Sequence, residues 1–101
     1  MALEISIMEK GRATEYVPLS VDGHWVIVGI GKKIESRLLH RLDDYYGDAY
    51  FSANEVPILL CDFEKVLAAL NGAIGTNEVQ EIISLLKKAM LKKCVVEALA
   101  D

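Results

Sequence analysis

Residues that staple small exported folds are scarce in this chain. Its 101 residues include two cysteines, two prolines and two histidines. A disulfide framework needs more cysteine and an oxidising compartment. No export signal is expected, because Glu4, Glu9 and Lys10 interrupt the N-terminus where its apolar stretch would lie. No apolar run approaches the roughly 18 residues of a membrane span. These absences together predict a cytoplasmic protein, with Cys61 and Cys94 packed in the core as free thiols.

Basic residues are also in deficit. Fifteen acids face eleven Lys and Arg, for a net charge of −4. Phosphate backbones and anionic lipid surfaces are bound by clustered cations, so no nucleic-acid and no membrane partner is expected. His24 and His40 each lack a second ligand at helical spacing, which argues against a metal. His24 is expected to be solvated or cross-strand beside a turn, and His40 to lie at a helix boundary.

The segment Val26-Ile27-Val28-Gly29-Ile30-Gly31-Lys32 has the outline of a nucleotide loop but fails its spacing. Ile34 stands where the dinucleotide fingerprint needs its third glycine, and Val26 and Lys33 break the phosphate-loop pattern. Asp43 and Asp44 are adjacent, which on a helix turns them about 100° apart and away from a shared acid–base site. No nucleophile motif is present. The expectation is a protein that is not an enzyme and carries no cofactor.

What the chain has is an ordinary globular mix, 52% apolar and 26% charged, enough for one core. A single α+β domain over residues 1–101 is predicted. Leu3, Ile5 and Ile7 alternate with polar neighbours like a half-buried strand, and Lys10-Gly11-Arg12 can turn the chain. Asp22-Gly23 between two apolar runs predicts a 15–30 hairpin. Its register would pair Val21 with His24, Leu19 with Val26 and Val17 with Val28, placing Val17, Leu19, Val21, Val26 and Val28 on one apolar face for helices to cover. Tyr16, Pro18, Ser20, Trp25 and Ile27 would take the other face, and Pro18 marks its strand as an edge.

Three helices are expected to cover the sheet, over 32–46, 55–70 and 77–92. Ile34, Leu38, Leu39, Leu42, Tyr45 and Tyr46 supply the first apolar stripe. Pro57 suits the first turn of the second and Asn71-Gly72 its stop. Thr76 or Asn77 would cap the third, whose closing lysines complement the helix dipole. Ala49-Tyr50-Phe51 has an extended pattern. Residues 94–99 can continue the third helix, but Val95-Val96 favours a short C-terminal strand.

Charge is distributed unevenly. Asp43, Asp44, Asp48, Glu55, Asp62 and Glu64 fall in one stretch without a base, interleaved with Tyr45, Tyr46, Tyr50 and Phe51. From Asn71 onward four acids balance four lysines. An anionic surface with aromatic anchors suits a cationic protein partner. The expected contact residues are Asp43, Asp44, Asp48 and Glu55 as charges, with Tyr45 and Tyr50 as anchors.

The same stretch carries a resemblance. Tyr46-Gly47-Asp48-Ala49-Tyr50-Phe51, then Glu55-Val56 and Ile58-Leu59-Leu60-Cys61-Asp62-Phe63-Glu64, with Gly23-His24-Trp25 and Val28-Gly29 upstream, resembles small bacterial immunity-type proteins of polymorphic-toxin and contact-dependent growth inhibition systems. The likeness covers about residues 22–70, and Ala49 stands where that pattern usually has Thr. It implies an antidote that binds a cognate protein toxin and inhibits it without catalysis, and the acidic stretch adds the expectation that this toxin has a basic surface. It transfers no contact residues, because such proteins bind through divergent surfaces. The alternative is a small regulatory or housekeeping interaction module, with a homodimer or other homo-oligomer as one form. An enzyme with an unfamiliar site is the third class.

Overall fold

A computed structural model describes residues 3–100 and shows an α+β fold, with a four-stranded antiparallel sheet and helices against one face. In chain order the elements are β1 (Leu3–Glu9), β2 (Arg12–Leu19), α1 (Val21–Lys33), α2 (Arg37–His40), β3 (Ala49–Phe51), α3 (Val56–Leu70), α4 (Thr76–Lys92) and β4 (Val95–Ala100). The sheet order is β2-β1-β4-β3, so the last strand lies inside it, paired on both sides.

The hairpin is not where the Asp-Gly signal placed it. Lys10 and Gly11 both have positive φ, 52° and 76°, and form the two-residue turn between β1 and β2. Leu3 faces Leu19 and Ile5 faces Val17 across that hairpin, with an irregularity after Ile7. Residues 21–33 are helical, which removes the 15–30 hairpin and all three of its expected pairs. Neither Asp22 nor Gly23 has positive φ. Ser20 caps the helix instead: its Oγ accepts from Gly23 N at 3.0 Å and donates to Glu78 Oε1 at 2.8 Å, while Ser20 N donates to Glu78 Oε2 at 2.7 Å. A Cβ on Gly23 would sit 2.5 Å from Glu78 Oε1, so this glycine admits a carboxylate rather than a reverse turn. Asp22 in the first turn and Lys32 and Lys33 in the last complement the dipole.

The expected burial of Val17, Leu19 and Val28 is nonetheless found, while Val26 is half-buried and Val21, placed on the same face by the expected register, is exposed. Ile27, expected outside, is fully buried. The 32–46 helix is replaced by the end of α1, a left-handed Glu35 at φ 57° and the single turn of α2. Ser36 forces this break by accepting from Leu39 N at 3.0 Å while donating to Asp62 Oδ2 at 2.6 Å. Leu38, Leu39, Leu42 and Tyr45 are still buried, while Ile34 is half-buried and Tyr46 exposed, so the spacing marked most of the core without marking a continuous helix.

The second and third helices lie close to their expected bounds, and the short strands at 49–51 and 95–100 are present. Asn71, left-handed at φ 48°, stops α3 as its type suggested. Gly75, not Thr76 or Asn77, occupies the cap position of α4. Helix α4 packs on β1 and β2, α3 packs on α4, and α1 packs on α2 and α3. The core joins Leu3, Ile5, Ile7, Phe51, Val96 and Ala98 of the sheet to Phe63, Val66, Ile82 and Leu86 of the helices. Cys61 is exposed and Cys94 half-buried, so neither is the core thiol expected. Among the described residues no helix is long and apolar enough to cross a membrane.

Candidate functional site

The acidic segment folds back on itself. Asp43 pairs with His40 Nδ1 at the end of α2, the helix-boundary position expected of that histidine. Asp44 Oδ1 accepts from Tyr46 N at 2.9 Å, and Asp48 Oδ1 accepts from Ala100 N at 2.9 Å beside β4. Glu55 receives two hydrogen bonds from Arg41, at 2.8 and 2.6 Å, and a third from Ser52 N at 3.0 Å. The Arg41 hydrogen bond, seconded by Ser52, holds the Glu55 carboxyl down at about 2. Arg41 also donates to the Tyr50 carbonyl at 3.0 Å and lies over the Phe51 ring, tying α2 to β3 and the start of α3. Of the six acids, Glu64 alone lacks a hydrogen-bond or ion-pair partner among the described residues.

Two corrections follow for the expected contact surface. Tyr45 is buried, its hydroxyl donating to the Leu19 carbonyl at 2.9 Å, so it anchors the core and cannot anchor a partner. Asp43, Asp44, Asp48 and Glu55 are occupied by internal partners, and two of the compensating side chains, His40 and Arg41, lie just before the segment counted as free of bases. Tyr50 is exposed, the position expected of an anchor.

Tyr50 belongs to a different surface, the sheet face without helices. The registers set Tyr16, Ser6, Glu97 and Tyr50 in one row across all four strands. Tyr16 and Tyr50 at its ends are 58% and 55% exposed, enough to offer most of each ring. Glu4, Met8, Val95, Leu99, Ala13 and Pro18 flank the row, so among the described residues this face carries two acids, Glu4 and Glu97, and no base. Ser6 is fully covered within it and its Oγ has no partner. The pairing of Tyr16 with Tyr50 through two intervening strands was not legible while Tyr16 was assigned to a 15–30 hairpin.

A second aromatic group lies on the helical side. His24 is fully buried, correcting the solvated position expected of it, and Nε2–H donates to the Leu42 carbonyl while Nδ1 has no partner. Its ring meets those of Trp25 and Tyr45 edge-on, each at 5.0 Å between centroids, and Tyr45 in turn meets Tyr46. Nearby, Val28, Gly31, Lys32, Arg37, His40 and Asp43 line a cavity of about 290 Å³, at the small end for ligand sites. Ser36, also on its wall, is committed to Leu39 N and Asp62. Among the described residues no three metal-ligating side chains converge.

Comparison with known proteins finds no family model that matches the chain, and no matching curated protein or solved structure.

Proposed function

We propose that this chain is an immunity-type binding protein of the bacterial cytoplasm that neutralises a cognate protein toxin by covering a basic surface on it, with no catalysis of its own. The observation that carries this reading is the open sheet face. Its two exposed tyrosines supply area at low entropic cost, and its two acids without a base suit a cationic partner. A rigid sheet also presents these groups without a folding cost on binding. The resemblance over residues 22–70 points to the same class. The acidic segment contributes Tyr50 to this face, while its carboxylates serve mainly as internal fastenings. A regulatory or housekeeping interaction module is the second reading, and it would use the same face.

The test begins with the neighbouring gene. Its product, expressed with this chain, should be toxic alone and harmless in the pair. Tyr16→Ala combined with Tyr50→Ala should weaken the complex about a hundredfold or more, as loss of two aromatic anchors does. Replacing Asp43, Asp44 and Asp48 by Asn should change affinity less than threefold. Full affinity in the tyrosine variant would remove the sheet face. A harmless neighbour that the chain does not bind would remove the antidote reading.

A further inference from the structure

Helix α1 carries a face that its own fold leaves unused. Gly23, His24, Ile27, Val28 and Gly31 are its buried residues. On the opposite side lie Asp22, Trp25, Gly29, Lys32 and Lys33, all exposed, with Gly29 near the centre by helical spacing. Trp25 is 58% exposed, yet its ring is set edge-on against the fixed, buried His24, so it is ordered before any partner arrives. Gly29 has no steric or conformational reason to be glycine. A Cβ there would meet nothing within 4 Å, and its φ is not positive. A glycine inside a helix is otherwise a cost to the fold.

We infer that this face packs against the same face of a second copy, with the two α1 helices antiparallel about a two-fold axis near residue 27. In that register Trp25 of each copy enters the notch left by Gly29 of the other. Asp22 of each copy meets Lys32 and Lys33 of the other. A two-fold interface requires a self-complementary patch, and this one has its knob, its notch and both signs of charge at matching distances from the centre. None of the three cations and acids involved, Asp22, Lys32 or Lys33, has an ion-pair partner among the described residues. Missing side-chain volume at Gly29 allows the helix axes to approach closely at the crossing. Thirteen residues of helix span only about 20 Å, so the contact is small and the dimer weak, with dissociation in the range of tens of micromolar. Helix α1 packs on α2 and α3, and none of the residues invoked here belongs to the open sheet face, so this inference stands apart from the toxin reading.

The test is the concentration dependence of mass and fluorescence for the whole chain. Sedimentation from 2 to 500 μM, a range chosen to bracket the expected dissociation constant of about tens of micromolar, should show monomer passing to dimer. Trp25 is the single tryptophan, and its emission should move to shorter wavelength over the same range as the ring leaves water. Gly29→Gln should melt no lower than the original chain at low concentration, yet stay monomeric throughout. Asp22→Lys should weaken association about tenfold, since two symmetry-related attractions become repulsions. Adding Lys32→Asp and Lys33→Asp to it should restore association. A chain that remains monomeric at the highest concentration overturns the inference. So does a folded Gly29→Gln variant that dimerises normally, or a triple variant as weak as the single one.

Discussion

At the scale of single residues, polar groups here act as fasteners, and Glu55 is the clearest case. Its carboxylate joins Arg41 of the α2 corner to Ser52 of the turn before α3. The folded chain holds its pKa at about 2, below the ordinary 4.5. A depressed carboxylate pKa gives stability that is fully present above the unfolded value and is lost as pH falls through the folded one. The window therefore runs from about 4.5 down to about 2. Glu55→Gln should melt lower than the original at pH 7, and the gap should close as pH drops through that window. Thermal melts of both chains at half-unit pH steps check it, and a gap constant with pH would show that the ion pair contributes nothing. His24 is a fastener of another kind. A carbonyl can only accept, so Nε2 must carry a proton, and Nδ1 is left without a hydrogen-bond partner beside the Trp25 and Tyr45 rings.

At the scale of elements, α1 shows why local signals misled and where better ones lay. Asp22-Gly23 and a β-branched run fit a hairpin by propensity, and tertiary packing overrode them. The competing signals were in view: Ser20 is a good N-cap residue, Asp22 suits a first turn, and Lys32-Lys33 suit a last one. What no local pattern could supply was Glu78, which is 58 positions away and completes the cap. Two glycines of the same helix give opposite predictions. Gly29→Ala should raise stability by about 0.5–1 kcal/mol, because its Cβ points into open space. In Gly31→Ala the new Cβ would stand 2.9 Å from Leu39 Cβ, an atom close to the backbone that cannot swing aside. Overpacking there should outweigh the helix gain and cost about 1–3 kcal/mol. Chemical denaturation at a few micromolar (about a tenth of the expected dimer dissociation constant) measures both; equal shifts would contradict the packing account.

At the scale of the whole molecule, class and core were legible while topology was not. Alternation in Leu3, Ile5 and Ile7 marks buried positions from spacing alone, as do Leu59, Leu60, Phe63, Val66 and Leu70 of α3 and Val79, Ile82, Ile83, Leu86 and Ala89 of α4, whereas Leu67 of the same stripes is half-buried and Met90 exposed. Strand order is a matter of long-range pairing, and nothing local to Val95-Val96 announces that β4 sits between β1 and β3. The internal pairing of the acidic segment was not legible for the same reason, since a window from 43 to 64 leaves out Arg41 and His40 just before it. Central strands should open only with global unfolding. Amides of Ile5, Ile7, Val96 and Ala98 should therefore exchange slowest, and those on the outer side of β2 far sooner. Native-state hydrogen exchange distinguishes the two, and fast exchange at Val96 would contradict the order β2-β1-β4-β3.

That strand order also ties folding to the direction of synthesis. Leu3 lies opposite Ala100, so the first described strand waits for the last before its second edge is paired. During translation the β1–β2 hairpin and the helices can assemble early, but β1 presents an open edge and β3 has no neighbour until residues 95–100 have been made. At about 5–20 residues per second, that leaves several seconds in which an incomplete sheet is exposed. A ribosome-bound chain stalled before residue 95 would then remain protease-sensitive however long it waits, and release of the remaining residues would bring protection in one cooperative step.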